Sequence, residues 1–598
     1  MKLKLAGAAA FALAASLVVP YAHASGAAPP APAKKHAKKE KAHEPTVQEQ
    51  IDALRMQMQT QIDSLKSDLS DKDVQLKQAQ QAAADAQAAA AKAQAAADAE
   101  QQALGENATA VTTLQSTVND MKQSNASIVS SLTDETAAIK KAITSPDALY
   151  YKGVTISPAG SFVAGETVWR QGATGGDINT PLTGVPLDNS QAAQLSEFFG
   201  SGRQSRIALK ATGKLNSATL TAYYEADWLS AGTTSNNNQS NSYTMRQRQI
   251  WGDAKFENGW DVSAGTGWSL MTETTSGLYR GTEILPATID AQYSAGFMWA
   301  RQYSFRVSKA FGKKIFIGAS AENAETLNPS GQGLPSNYLF GSTGTGGGLY
   351  NLNANYSFNY TPDIIVKAAI EPGWGHWEII GVERNFRDRV YPTGGTPFND
   401  KEIGAGIGGG FRGALANKKV TIGLKGLWGQ GVGRYGSSTI ADVTLRPDGE
   451  FSPIHGFSAL STIEANPTSR LNLYFNYGGD YLDRDYVLNG TTQVGYGTRS
   501  VNMSGCSTEP TTVSSAGATG SAPIAPSNCG GSNKDVQEFT AGWWYNFYNG
   551  PKGRFRQGFT YELIRRDLWS GAGGTTNPGG GAHGDDSMVF TSLRYYLP

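Results

Sequence analysis

From about residue 150 to residue 598, apolar and polar side chains alternate with a period of two. Beyond the first two dozen residues, the chain has no continuous apolar stretch near the roughly 18 residues that a membrane-spanning helix needs. Ala218, Leu220, Ala222, Tyr224, Ala226 and Trp228 fall on one face of a strand, and Thr219, Thr221, Tyr223, Glu225 and Asp227 on the other. Ile315, Ile317, Ala319 and Ala321 alternate with Phe316, Gly318, Ser320 and Glu322 in the same way, and Val262, Ala264, Thr266, Trp268 and Leu270 with Asp261, Ser263, Gly265, Gly267 and Ser269. Long Gly/Ser/Thr/Asn stretches such as 232–242 and 328–348 separate such runs. Strands of about ten residues, joined by tight turns on one side and long polar loops on the other, describe an antiparallel transmembrane β-barrel. The length of this region suits about 16 to 18 strands, a size that encloses an aqueous channel. Trp228, Trp251, Trp260, Trp268, Trp543, Trp544 and Tyr545 lie near strand ends and are expected to form the interfacial aromatic girdles. The final segment, 588–598, alternates as well but ends on Pro598 instead of an aromatic residue.

Composition agrees with this reading. The mean hydropathy of −0.36 is too low for a helical membrane protein, whereas a barrel keeps half of its strand residues polar. Lys+Arg and Asp+Glu both number 51, so no bulk positive charge points to nucleic acid as a partner.

The N-terminal part divides into three segments. Lys2 and Lys4 precede an apolar run over residues 5–19, then Pro20 and the small-x-small site Ala22-His23-Ala24. That order is a secretory signal peptide, residues 1–24, so the chain is expected to leave the cytoplasm. Residues 25–46 are rich in Pro, Ala and Lys and read as an extended linker, either a solvated spacer or a contact for anionic cell-wall polymer or membrane. Residues 47–145 contain no proline and carry a seven-residue register. One series includes Ile62, Leu69, Leu76, Leu104, Val111, Val118, Asn125, Leu132 and Ile139; its companion includes Leu65, Ala79, Leu114, Met121 and Ile128. Such heptads predict an α-helical coiled coil with Asn125 as a register-fixing polar position. The barrel is expected over 146–598.

Residues with catalytic or metal-binding potential are sparse. His376, His455 and His583 are each isolated from metal-ligand spacing, so neither metal nor cofactor is expected. Gly404-Ala405-Gly406-Ile407-Gly408-Gly409 matches a dinucleotide fingerprint in form only, because it reads as a strand with no following helix. Cys506 and Cys529 bracket a Ser/Thr/Pro/Ala-rich segment and are expected to be joined in an exported protein. The charged residues are more informative. Arg203, Arg206, Lys210, Arg246, Arg248, Arg301, Arg306, Arg384 and Arg434 lie in or beside strands. Exposure of such groups to lipid near the midplane costs about 2–4 kcal/mol each, so they are expected to line the pore or an interface. Glu225 and Asp227, with Glu273 and Glu283, are candidates to face them. Two readings stand: an anion-attracting constriction, or a wall whose arginines only satisfy its own polar groups.

An ordered series of short motifs carries a family resemblance. It comprises Arg203-Gln204-Ser205-Arg206, Tyr224-Glu225-Ala226-Asp227, Arg246-Gln247-Arg248, Trp251-Gly252, Gly267-Trp268-Ser269 and Arg301-Gln302. It continues with Ala321-Glu322-Asn323-Ala324-Glu325, Pro362-Asp363-Ile364, Gly375-His376-Trp377 and Gly429-Gln430-Gly431-Val432-Gly433-Arg434-Tyr435. Together they resemble the DcaP-like trimeric outer-membrane porins over about two-thirds of residues 47–598, weakening after Phe451. The resemblance implies a homotrimer in outer-membrane lipid, a 16-stranded barrel behind a periplasmic coiled coil, and small anionic solutes, including dicarboxylates, as cargo. The alternatives are an envelope tether linking outer membrane to cell wall through the coiled coil, and a barrel hydrolase. At about 1.5 Å per residue, the helical segment would reach roughly 140 Å, so tether and channel are separable. Deleting residues 25–145 is expected to leave single-channel conductance intact; loss of outer-membrane attachment to the cell wall in the same variant would reveal a tether.

Overall fold

The computed structural model describes residues 148–174, 178–229, 244–327, 334–341, 357–509, 528–573 and 581–598, preceded by helical positions 56, 59, 117–119, 121–125 and 129. The expected signal peptide, the linker and most of the coiled-coil segment lie outside the described residues.

Twenty strand segments form one sheet. Two barrel strands are each interrupted once, and two short segments (Leu149–Tyr151 and Tyr338–Leu339) are additions at the rims, which leaves sixteen barrel strands. These are β1 (Val154–Ser157 and Phe162–Arg170), β2 (Glu197–Ser201 and Arg206–Lys214), β3 (Ala218–Asp227), β4 (Arg246–Phe256), β5 (Trp260–Trp268) and β6 (Arg301–Phe311). Next come β7 (Ile315–Glu322), β8 (Asp363–Ile370), β9 (His376–Val390), β10 (Phe398–Leu415) and β11 (Val420–Gln430). The last five are β12 (His455–Ala465), β13 (Leu471–Leu482), β14 (Asn533–Gly550), β15 (Gly553–Leu568) and β16 (His583–Tyr596). Neighbours pair antiparallel throughout, and β16 closes on β1, with Phe590 opposite Val168 and Tyr596 opposite Phe162. A closed sheet leaves no unpaired edge, which is the condition for a strand protein to cross a bilayer. The Gly404–Gly409 stretch lies inside β10.

The alternation sorts side chains as lipid and water require. On β7, Ile315 and Ile317 are 46% and 52% exposed on the outer surface, while Phe316 and Glu322 point inward and are buried. β9 repeats the pattern: Glu378, Arg384 and Asp388 are buried inside and Ile379 is exposed outside. The aromatic girdle differs from expectation. Trp260 and Trp543 are exposed on the outer surface, joined by Trp374 and Trp428, but Trp251, Trp268 and Trp544 are buried. Trp251 stacks on Tyr223, Trp268 packs edge-on against Trp299, and Trp544 lies under Arg556. Proximity to a strand end sets a residue's height, but not its face.

Short turns join the strands at the end of the barrel that holds Tyr596, and the long connections lie at the other end. One of these, loop 269–300 between β5 and β6, does not stay at the rim. Leu270, Met271, Thr272, Leu278, Ile289, Ala295 and Met298 are all buried, and the loop is fastened to strands around the barrel wall. Its backbone N–H groups donate to wall carboxylates: Leu270 to Glu322 (2.8 Å), Thr274 to Glu378 (3.0 Å), Ala295 to Glu538 (2.8 Å) and Gly296 to Asp480 (3.1 Å). Its carbonyls accept from wall cations and an indole: Met271 from Lys425, Thr272 from Lys367, Ile289 from Arg594 and Ala287 from Trp544, each at 2.8 Å.

Gly296 is where the loop comes closest to the wall. Its φ is +79°, and a Cβ there would sit 1.9 Å from the Ala459 carbonyl oxygen and 2.6 Å from the Gly479 nitrogen. Only glycine fits both constraints. Gly296→Ala is therefore expected to push the loop off β12 and β13, raise single-channel conductance and lower stability by about 1–3 kcal/mol. Unchanged conductance and an unchanged melting temperature in detergent would show that the loop tolerates the displacement.

Candidate pore lumen and its charged lining

The predicted arginines fall into distinct settings. β3 and β4 carry a β-bulge: Glu225 opposes Gln249 and Ala226 opposes Gln247, so Arg248 is the unpaired residue. A bulge re-aims one side chain without ending the sheet, and Arg248 is buried inside the barrel. Its Nε donates to Glu225 (2.5 Å), one Nη to Asp227 (2.7 Å) and the other to Gln292 of the infolded loop (2.8 Å). Arg246 donates to the other oxygen of Asp227 at 2.7 Å. Arg246, Arg248, Glu225 and Asp227 are thus a neutral quartet in which the four charges satisfy one another.

Other candidates are engaged singly. Arg306 reaches Glu283 (3.4 Å) and the Trp268 carbonyl (2.7 Å). Arg384 is buried between Asp363 (3.1 Å) and Asp442 (2.5 Å), and Arg434 approaches Asp363 at 3.6 Å. Glu273 lies 3.7 Å from Arg412. Arg203 donates to the Trp228 carbonyl at 3.0 Å, and Arg301 lies beside Trp268 and Trp299, its guanidinium 5.3 and 5.6 Å from their ring centroids. Lys210 is exposed, well below the quartet on β2. The sulfurs of Cys506 and Cys529 are bonded, with their Cα atoms 4.5 Å apart.

A second cationic group was not visible in the sequence reading, except for Arg206. Arg206, Arg554, Arg556 and Arg594 line a cavity of about 540 Å³ roofed by Leu285–Thr288 of the infolded loop. The four surround two touching rings, Phe162 and Tyr596, whose centroids are 4.9 Å apart. Arg206 and Arg594 lie 5.1 and 5.3 Å from the Phe162 centroid; Arg554 and Arg556 lie 4.3 and 4.7 Å from that of Tyr596. Arg556 also stacks on Trp544 at 3.8 Å. Arg594 is balanced by Glu166 at 2.6 Å. Among the described residues the other three have no carboxylate partner at ion-pair distance, and the Nε of each lacks a hydrogen-bond acceptor. Of the acids in the cavity wall, Glu225 is taken by Arg248 and Glu464 by Arg412. Arg554 and Arg556 share the Arg-x-Arg spacing of Arg246 and Arg248, a two-residue period that sets both side chains on one face of a strand.

The comparisons with known proteins agree with this geometry. The fold matches the outer membrane channel DcaP of Acinetobacter baumannii, with a TM-score of 0.51 at 14% identity, over 75% of this chain and 99% of that one. This chain folds as a porin-type barrel. Looser likenesses include Salmonella typhi OmpF in complex with daunomycin (TM-score 0.38, 10% identity, 75% and 99% covered) and an anion-selective porin from Comamonas acidovorans (0.37, 11%, 74% and 99%). No protein-family profile and no curated protein matches the sequence.

One constellation bears on the hydrolase alternative. His376 lies 3.2 Å from the Thr274 hydroxyl through Nε2 and 3.1 Å from Glu371 through Nδ1, an order that imitates a catalytic triad. Thr274 is buried, however, and its hydroxyl lies 2.8 Å from Glu378 and 2.9 Å from the Gly277 carbonyl. The group fastens the loop to β9 and presents no nucleophile to the lumen. Among the described residues no three His, Cys, Asp or Glu side chains gather as metal ligands do.

The quartet makes a measurable demand on stability. Arg248→Ala strands Glu225 and part of Asp227 in a buried setting, where removing one partner costs about 3–5 kcal/mol. The expected result is a large drop in the barrel's unfolding temperature by calorimetry, most of it recovered when Glu225→Gln and Asp227→Asn are added. A full-sized loss in the triple variant would show that packing, not charge, is what Arg248 supplies.

Proposed function

We propose that the protein is an outer-membrane porin for passive diffusion of small hydrophilic, anionic solutes, working as a homotrimer with its N-terminal segment in the periplasm. The observation that carries the anionic preference is the arginine group below the infolded loop. Among the described residues, Arg206, Arg554 and Arg556 are cations with no carboxylate at ion-pair distance. They stand around a shared pair of rings, so their fields add within one Debye length, about 8 Å at physiological salt. The low-dielectric wall concentrates that field in the channel. Aromatic rings lie beside all three, one N–H of Arg556 goes to the Tyr596 hydroxyl, and the Nε–H of each remains for a passing carboxylate or phosphate. The outer membrane channel DcaP is the structural analogy for this reading.

Two observations support the remaining parts. Val118 and Met121 belong to the two apolar heptad series, which partner helices would bury. The apolar outer surface fits a bilayer, and the expected signal peptide places that bilayer outside the cytoplasm.

Reversal potentials across planar bilayers in a salt gradient test the proposal. The unmodified channel is expected to pass anions in preference, and Arg554→Gln with Arg556→Gln to lower the anion-to-cation permeability ratio by about twofold or more. Neutralising the whole quartet (Glu225→Gln, Asp227→Asn, Arg246→Gln, Arg248→Gln) removes equal and opposite charges and is expected to leave the ratio unchanged. Equal permeabilities in the unmodified channel would overturn the anionic reading.

A further inference from the structure

Near the loop-bearing end of β9 and β10, Asp388 and Asp400 are directly opposed across the ladder. Opposed residues on one face of a sheet hold their Cβ atoms about 4.5–5.5 Å apart, and like charges there repel. Both side chains are turned inside, with Asp388 2% and Asp400 9% exposed. Neither oxygen of the ionised Asp388 carboxylate accepts from a donor of another residue, and the Asp400 carboxyl lies within hydrogen-bond reach of it. Asp400 accepts one bond, from the Phe451 backbone N–H at 2.9 Å. Among the described residues no Lys, Arg or His forms an ion pair with either.

The surroundings deepen the imbalance. On one side lies the apolar cluster of Phe340, Phe386, Val443, Leu445 and Phe451, which lowers the local dielectric. On the other, Glu450 is close enough that burial and the charges of Asp448, Asp400 and Glu402 hold its carboxyl above its ordinary value. Tyr338 also faces Asp388. Arg446, a cation of the 443–453 hairpin, is held by Asp485 at 2.8 Å. A buried carboxylate pair without a counter-charge is costly enough that it must either bind a cation or hold a proton.

We propose that Asp388 and Asp400 form a divalent-cation site, best suited to calcium, that clamps the hairpin 443–453 onto the β9–β10 extension. The unsatisfied oxygens are hard ligands, calcium accepts carboxylates in one- or two-oxygen modes, and water fills its remaining positions. The hairpin gains from the ion because Phe451 already hangs on Asp400 and because its own Glu450 adds to the negative field.

Hydrogen exchange of residues 443–453, measured on the full chain in detergent with calcium or with a chelator, tests this independently of any transport role. With free calcium at about ten times its Kd, linkage predicts roughly tenfold slower opening of the hairpin than in chelator. Asp388→Asn removes the repulsion and lets an amide donate to Asp400. It is expected to exchange more slowly than the unmodified chain in chelator and to ignore calcium. Equal exchange of the unmodified chain in both conditions overturns the proposal. So does an undiminished calcium response in Asp388→Asn, or protection that follows pH but not calcium, which would mean that the two carboxylates share a proton. Asp400→Asn, whose side-chain oxygen can still accept from Phe451, supplies the same reading should Asp388→Asn fail to assemble.

Discussion

The pore depends on carboxylates of the barrel wall accepting backbone N–H groups of the loop 269–300. A loop drawn into a lumen brings a row of amides and carbonyls with no ladder to satisfy them, and each would be costly if left unpaired. Glu322, Glu378, Glu538 and Asp480 take the amides, while Lys367, Lys425 and Arg594 take the carbonyls. Because the wall reads the loop's backbone, the loop's side chains are free to be apolar. Leu270, Met271, Leu278 and Met298 pack with Ile365, Ile380 and Leu427 into one hydrophobic cluster inside the channel. The barrel thereby acquires a core that a hollow cylinder lacks.

Filling the lumen changes what its charges are worth. A charge in open pore water is screened, whereas one under a packed loop must find a partner. Arg248 does so through the bulge, which turns its guanidinium onto Glu225, Asp227 and Gln292 together. Arg384 meets Asp363 and Asp442 in the same manner, 442 being part of a different long loop. Salt bridges of this kind hold loops in place, and since Arg246 and Arg434 supply the second cation of each group, the groups are neutral overall and add little to the field along the channel.

Much of the fold was legible from residue order because lipid and lumen impose opposite demands on alternate positions. The Ala218–Trp228 alternation sets Glu225 and Asp227 on the face opposite Leu220 and Tyr224, and both carboxylates are buried, as is Glu322 on β7. What alternation cannot express is contact between distant segments. Nothing local marks 269–300 as infolded, since its anchors are Glu and Lys residues scattered over strands 50 to 250 positions away. Trp544 shows the same limit: it sits at girdle height, yet its ring serves Arg556 and its indole N–H the Ala287 carbonyl. Arg554 and Arg556 escaped notice for a related reason, because their importance lies in lacking a carboxylate partner, and a sequence does not show which acids are already taken.

The cost of an uncompensated guanidinium explains why aromatic rings surround the arginines that remain. An unpaired cation in a partly enclosed lumen needs a favourable surface that does not cancel its charge. The face of an aromatic ring supplies one, worth about 0.5–2 kcal/mol depending on desolvation. A carboxylate would supply more stabilisation but would erase the field. Phe162, Tyr596 and Trp544 therefore do for Arg206, Arg554 and Arg556 what Asp227 does for Arg246, holding the side chain in place while leaving its charge directed at the channel. β1, β15 and β16 carry most of this group, the same strands at which the cylinder closes. The seam that completes the barrel also gathers three arginines without a carboxylate at ion-pair distance, so under the proposed function closure of the fold and attraction of anions would rest on the same few residues.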